Sequence, residues 1–368
     1  MKTKTILNTV LTKALETKRP HPSKTNTRFT AWLASIVPPH LAASVFTDGA
    51  GNLHVDARTV DSHRTLFVAH VDTVHRSEGK NAIRKTKTHW HAKGDVLGAD
   101  DGAGVAILMH MMHYGIKAYY IFTQGEERGG VGARYLASKE ESLLQEFDRA
   151  IAFDRRGTDS VITHQGWGRC CSDEFGTALA TALMGDSDAL MYLNDDTGVY
   201  TDTAEFVDVI PECTNISVGY AKEHTQDESL DLRHFKQLAE AVLCVEWDAL
   251  PVARDPSYVE PNEFTAGSWW TDYKTYSTYD TSATSVNDID YRREEALDAV
   301  LDAQYGYTEG LAWMIADSVY PEDAPMAVKH MNFKQIDLRT YDDAIEWLEH
   351  GEDIDAVLGS LFDELHTA

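Results

Sequence analysis

TLFVAHVD, residues 65–72, opens with a run of strand length that lacks apolar–polar alternation and then stops at His70, with Asp72 two residues on. Apolar runs of this kind belong to strands buried on both faces, the condition of strands in a parallel sheet. AYYIFT (118–123), RAIAFD (149–154) and TNISVGY (214–220) are of the same type, rich in β-branched and aromatic residues. Between them run segments of helical periodicity: AGVAILMHMMHYG (103–115) closed by Gly115, GARYLASKEESLLQ (132–145), EFGTALATALMG (174–185) closed by Gly185, and LRHFKQLAEAVLCVEWDAL (232–250) closed by Pro251. Strand and helix alternate. The expected fold class is therefore α/β: a three-layer αβα domain with a central, largely parallel mixed sheet over residues 1–253.

Two short helices lead in, ILNTVLTKALE (6–16) and TRFTAWLASIV (27–37), before PP at 38–39 stops the second. TKTHWHA (86–92) reads as an edge hairpin whose His89 and His91 share a solvated face. Beyond Ala253 the composition turns to Pro, Ser, Thr, Tyr and Asp, which predicts a linker or extended arm over 254–291. Helical periodicity returns at 292–304, 308–318 and 341–366, giving a small C-terminal helical module over 292–368.

At 368 residues the chain is long enough for one large domain with an appendage. Residues 255–368 hold 25 Asp and Glu against 6 Lys and Arg, so most of the formal charge of −26 lies in the last third. That balance repels a phosphate backbone and excludes nucleic acid as a partner of the segment. The acidic module is read instead as a surface for a protein partner or a homo-oligomer. The opening residues lack an apolar core of signal-peptide length and no later run reaches a membrane span, so a cytoplasmic protein without membrane contact is expected. Cys170, Cys171, Cys213 and Cys244 form no CxxC pair, and reduced thiols are expected.

The chemistry is carried by what ends each strand. TLFVAH ends at His70, the turn LGADD presents Asp100, YYIFTQGEE ends at Glu126 and Glu127, AIAFD ends at Asp154, and ISVGYAKEH reaches His224. Ligand sites of parallel α/β sheets lie outside the carboxyl ends of the strands, so these five ends converge on one crevice. Imidazole and carboxylate are ordinary Zn²⁺ ligands, and a two-metal hydrolase needs a carboxylate between its ions, a place Asp100 can take. Ionised Asp100, Glu127 and Asp154 with one bridging hydroxide balance two divalent ions. Zn²⁺ is the expected metal, with Mn²⁺ and Co²⁺ as substitutes.

The ordered motifs AHVD (69–72), GADDGAG (98–104), GEERGGVGA (125–133), AFD (152–154) and EHTQDESLD (223–231) resemble those of the co-catalytic dizinc peptidases of the M28 and M20 clan. TDTAEF (201–206) is similar to the Ser-Asp-x-x-x-Phe segment of M28 aminopeptidases, and HTQD (224–227) to their His-Thr-x-x-Asp ending, with one residue fewer between Thr225 and Asp227. The resemblance implies that His70 and Asp154 hold one metal, Glu127 and His224 the other, and Asp100 bridges both. It implies that Asp72 orients His70, that Glu126 is the general base, and that the Asp100–Asp101 peptide is cis. Only 69 residues separate Asp154 from His224, too few for the inserted lid domain of the M20 branch, so the resemblance favours M28.

The implied reaction is hydrolysis of an amide bond, removal of an N-terminal residue from a peptide, by a hydroxide bridging two metals with Glu126 as base. An N-acyl amidohydrolase or a dipeptidase with the same metals is the alternative, with Arg155 or Arg156 gripping a substrate carboxylate. A non-catalytic binding protein is the third reading. Each residue alone has a plainer explanation: a helix cap for Asp101, solvated loop charge for Glu126 and Glu127, a hydrogen-bonded pair for His70 and Asp72. GGVGA (129–133) is discounted as a dinucleotide loop because acidic residues precede it. Tyr200 and Tyr220 are equal candidates for stabilising an oxyanion, and His75, lining the entrance, joins His110, His113 and His164 as candidates for polarising a carbonyl.

Overall fold

In the computed structural model, residues 3–166, 168–185 and 189–258 are described. The chain divides into two units, Met1–Pro261 and Asn262–Ala368. Of the expected arm only residues 254–258 are described, without regular structure, and the helical module at 292–368 lies outside the described residues.

The central sheet has eight strands in the spatial order Leu193–Asp195, Ser160–Ile162, Glu212–Ser217, Arg149–Arg155, Thr65–His70, Tyr119–Thr123, Leu53–Asp56 and Val45–Thr47. The four middle strands from Glu212–Ser217 to Tyr119–Thr123 are mutually parallel. Phe67 stands beside Tyr120 on one side and Ile151 on the other. Antiparallel strands extend the sheet beyond Tyr119–Thr123, and Ser160–Ile162 runs antiparallel to Glu212–Ser217. The largely parallel mixed sheet expected from the apolar runs is the one observed.

Both faces are covered. Phe67, Ala69, Tyr120, Phe122, Ile151 and Phe153 point into a core closed by helices Thr3–Leu15, Lys24–Ser35, Ala99–Tyr114, Asp173–Met184 and Leu232–Ala241. Leu66, Val68, Tyr119, Ile121 and Ala150 point the other way, onto helices Val131–Lys139 and Glu141–Leu144 and the turn Asp202–Phe206. Alternate residues of one strand thus feed two cores, which is why these strands show no polar face. The helix Ala99–Tyr114 is buried from Ala99 through Met112, and its sequence is accordingly apolar around most of its circumference. No described helix is long and apolar enough to cross a membrane.

Three elements differ from the sequence expectation. The helix beginning at Leu232 ends at Ala241 rather than running to Leu250, and a one-turn segment Trp247–Ala249 follows. The break lets the Trp247 ring pack edge-on against Phe67, with ring centroids 4.8 Å apart. Residues 132–145 form two helices, divided at Glu140. His89–Ala92 is no edge: it lies inside a second, four-stranded antiparallel sheet, between Ile83–Lys85 and Ser229–Asp231. His89 and His91 do share a face, with their rings stacked at 5.9 Å.

Candidate metal centre

His70 is the last residue of its strand. Glu126 and Glu127 open a one-turn helix after the neighbouring strand Tyr119–Thr123, and Asp154 is the penultimate residue of Arg149–Arg155. All three strands are parallel, so their carboxyl ends bring these side chains to one rim of the sheet. Asp100 is the second residue of the helix Ala99–Tyr114 and is non-helical, at φ −79° and ψ 108°. The Asp100–Asp101 peptide is cis, as expected. His224 comes from farther away, on an exposed turn between Tyr220–Ala221 and Ser229–Asp231, at φ 61°.

These residues meet. Asp100 sits between the two histidines, Oδ1 at 2.9 Å from His70 Nε2 and Oδ2 at 3.1 Å from His224 Nε2. Asp154 Oδ1 is 3.6 Å from His70 Nε2, and Glu127 Oε2 is 3.1 Å from His224 Nε2. Ligand atoms of His70, Asp100 and Asp154 lie within 4.8 Å of one another, as do those of Asp100, Glu127 and His224; a third group, His70, Glu126 and Glu127, shares members with both. Glu126 Oε2 stands 3.8 Å from His70 Nε2, beyond hydrogen-bond reach.

The charges in this cluster fit divalent cations. Burial disfavours charge on His224, yet its bonds to Asp100 and Glu127 overcome that and raise the imidazole to about 12. His70 is raised well above the imidazole range against the same opposition, by Asp154, Glu126 and Asp100. Burial pushes Glu126 well above the usual carboxyl range, with Glu127, Asp154 and Asp202 adding to it and His70 opposing. Glu127 rises to about 7 through burial and the charge of Asp100. Crowded, buried carboxylates here draw positive charge from imidazolium protons, and divalent metal ions bound at this site would take the place of such protons. Glu127 Oε1 and His70 Nδ1 are moreover buried without a hydrogen-bond partner.

Behind the ligands stands a layer of supporting groups. Asp72 Oδ1 lies 3.6 Å from His70 Nδ1 and accepts the amides of Gly125 at 2.8 Å and Glu126 at 3.2 Å, while Oδ2 accepts that of Glu127 at 3.2 Å. It therefore holds the turn carrying both glutamates as well as facing the histidine. Asp154 is held on both oxygens, by the Thr201 hydroxyl at 2.7 Å and the Tyr220 hydroxyl at 3.1 Å. Asn215 pins the Asp154 backbone with two bonds of 2.8 Å. Arg19 is buried to 0 % exposure; its Nε donates to Val71 O at 2.6 Å and its guanidinium lies 4.7 Å from the Phe29 ring centroid. Burial lowers Arg19 to about 10 against the pull of Asp72, Asp101, Glu228 and Asp100.

Asp101 is the cap expected of it, accepting Gly104 N at 2.8 Å. A Cβ on Gly104 would meet Asp101 Oδ1 at 2.4 Å and the Phe153 carbonyl at 2.6 Å. Gly104→Ala is therefore expected to destabilise the protein by about 1–3 kcal/mol, the usual cost of overpacking, read as a lower denaturant midpoint. An unchanged midpoint would show that the Asp101 turn can move.

The other sequence candidates lie elsewhere. His75 does not line an entrance: it is buried beneath Gly98 and bonded to Thr73 Oγ1 at 2.7 Å. His110 is buried against Tyr114, and His113 is bonded to Ile36 O at 2.8 Å. His164 is bonded to Thr163 Oγ1 at 2.9 Å. Tyr220 is committed to Asp154, and the Tyr200 hydroxyl donates to Glu205 at 2.9 Å. Arg155 is tied to Thr197 O and Oγ1 at 3.1 and 2.9 Å. Arg156 is mostly exposed, on the wall of a cavity of about 610 Å³ that also includes Lys222 and Thr225, the latter next to His224.

The sequence profile of Peptidase family M28 matches residues 52–299. Among solved structures the chain is similar to aminopeptidase PepT of Bacillus cereus, at 15 % identity and TM-score 0.51 over 66 % of this chain and 98 % of that one. It is similar to aminopeptidase APDkam598 of the archaeon Desulfurococcus kamchatkensis, at 13 % identity and TM-score 0.52 over 66 % and 95 %. The LapA aminopeptidase of Legionella pneumophila matches at 18 % identity and TM-score 0.50 over 69 % and 72 %. At these identities the likeness is one of fold. No curated protein matches the chain.

Proposed function

The chain belongs to peptidase family M28, and from that premise we propose that it is an aminopeptidase with two divalent metal ions, Zn²⁺ first among them, at the rim of its parallel sheet. Family membership supports a metal-dependent peptidase. The observation that carries the finer reading is Asp100, whose two oxygens face different histidines at 2.9 and 3.1 Å, each histidine with its own further carboxylate. In this reading His70 and Asp154 hold one ion, Glu127 and His224 the other, and Asp100 both. Bound there, the ions would supply Lewis-acid charge that acidifies water and polarises an amide carbonyl.

The chain's own groups handle the protons and the alignment. Glu126 takes the proton of the attacking water and hands it to the departing amine nitrogen, a task suited to a carboxyl whose proton affinity burial and neighbouring carboxylates have raised. Asp72 keeps Glu126 and Glu127 in register through three backbone amides. Thr201 and Tyr220 fix the rotation of Asp154.

Turnover of aminoacyl, N-acetyl and dipeptide substrates with added Zn²⁺, Mn²⁺ or Co²⁺ tests the reading. Cleavage of substrates with a free amino terminus is expected, and preference for N-acetyl compounds would replace it with the amidohydrolase alternative. Arg156, beside the His224 turn and paired with Glu223 at 3.1 Å, is the observation that favours the alternative: its exposed guanidinium would grip a substrate carboxylate in exchange for Glu223. No hydrolysis by a metal-loaded protein would leave a binding protein.

The catalytic domain is proposed to end near residue 253, with the acidic segment serving a protein partner or self-assembly in a cytoplasmic protein. A chain ending at Pro261, the boundary of the first unit, is expected to fold and to hydrolyse a small substrate. Because the family match runs on to residue 299, the truncation is a sharp test: retained metal with lost turnover would bring the later residues into the site.

A further inference from the structure

Glu228 lies within EHTQDESLD, four residues past His224, where the His-Thr-x-x-Asp spacing has its acidic residue. It is 1 % exposed, and its carboxylate accepts four successive backbone amides: Leu97 at 2.7 Å, Gly98 at 3.0 Å, Ala99 at 2.7 Å and Asp100 at 3.3 Å. A carboxylate has about four lone-pair sites, so all of its accepting capacity goes to the turn that presents Asp100. Its backbone is fixed as well, with Glu228 O accepting Ala92 N at 3.0 Å and Glu228 N donating to Thr225 O at 3.1 Å. The turn before it is the opposite: from Ala221 to Asp227 every residue but the half-buried Glu223 is exposed, and the His224 side chain is 52 % exposed. Apart from its contacts with Asp100 and Glu127 and the Arg156–Glu223 pair, His224 is held by the anchorage at the ends of this turn.

We propose that Glu228 is a positioning residue for the Asp100–Glu127–His224 metal position: it joins the turn bearing His224 to the turn bearing Asp100 and so sets the distance between the two ligands. The inference rests on the two-metal reading above. Charge and length both matter. Glutamine at 228 would keep one accepting oxygen and turn an NH2 group toward backbone N–H donors, loosening the two turns from each other while leaving His70 and Asp154 on their strands. The position that contains His224 should then weaken most, and the position built from His70 and Asp154, which shares only Asp100 with it, should weaken less.

The experiment titrates Co²⁺ and Zn²⁺ into the metal-free full-length protein, by calorimetry and by the visible absorption of Co²⁺, alongside the melting temperature. Glu212→Gln serves as the control. Glu212 is equally buried and accepts Ser172 N at 2.7 Å, Ala253 N at 2.7 Å and Arg254 N at 3.0 Å, but it starts its strand, at the sheet end away from the site. Wild type is expected to bind two ions. Glu228→Gln is expected to bind the ion of the His224 position about 10–100-fold more weakly, the usual effect of losing an outer-shell partner, and the other ion, which shares Asp100, with a smaller loss. Glu212→Gln is expected to melt lower with both affinities intact. Equal weakening of both ions in Glu228→Gln, an unweakened ion at the His224 position, or the same selective loss in Glu212→Gln would overturn the proposal. Hydrogen exchange on metal-free wild type gives a readout free of substitution: the amides of residues 97–100 should be protected, and fast exchange would refute a preformed clamp. A wild type that binds fewer than two ions would instead overturn the two-metal reading itself.

Discussion

Glu126→Gln is expected to cut kcat by about 10²–10⁴-fold, the usual worth of a positioned acid–base group, while metal content and fold stay at wild-type levels. The amide matches the carboxyl in shape but cannot accept and return a proton. Glu126 also stands outside both of the groups that share Asp100, so no ligand is removed. Glu127→Gln is the informative partner. Its carboxylate is 3.1 Å from His224, and the amide removes an anionic ligand from that position, so one ion should weaken and activity should recover partly at high metal. Metal analysis and kinetics on the two purified variants decide the assignment. Equal metal loss in both, or a Glu126→Gln enzyme with near-normal turnover, would exchange or erase the two roles.

Asp100→Asn should have the broadest effect. Both histidines face this one carboxylate, at 2.9 and 3.1 Å, so both metal positions lose a charge together. Affinity for both ions is expected to fall by more than the roughly 10–100-fold that outer-shell changes cost, with turnover at background. Excess Zn²⁺ should not restore it, whereas it should restore a chelator-treated wild type. An Asp100→Asn protein that still binds one ion tightly would show that the carboxylate does not bridge.

What was legible in the sequence was what is local. The strand Thr65–His70 and the strand Arg149–Arg155 announce themselves because burial on both faces demands an unbroken apolar run, and the candidate ligands His70 and Asp154 follow directly where the run stops. The groups that hold those ligands gave no such signal. Glu228 reaches amides up to 131 positions away, and Arg19, in the link between the strand Thr17–Lys18 and the helix Lys24–Ser35, meets the acidic cluster only through the fold. Thr201 and Tyr220 were visible as residues, but the choice of Asp154 as their acceptor exists only in three dimensions. The early end of the helix at Ala241 follows from the demand of the Trp247 ring for the Phe67 pocket, a tertiary preference stronger than helical periodicity. The strand His89–Ala92 looked like an edge because its partner Ser229–Asp231 is three residues long, too short to show a period.

The order of the central strands also bears on how the protein is made. Glu212–Ser217 lies between Arg149–Arg155 and Ser160–Ile162, both of which leave the ribosome well before it. Until it arrives, the parallel sheet ends at Arg149–Arg155 with a bare, apolar edge, the kind of surface that pairs with other chains. Trp247, which packs against Phe67 and Phe153, comes later still. A nascent chain of this topology therefore exposes that edge until Glu212–Ser217 and then Trp247 are made, an interval in which pairing with other chains competes with completion of the sheet.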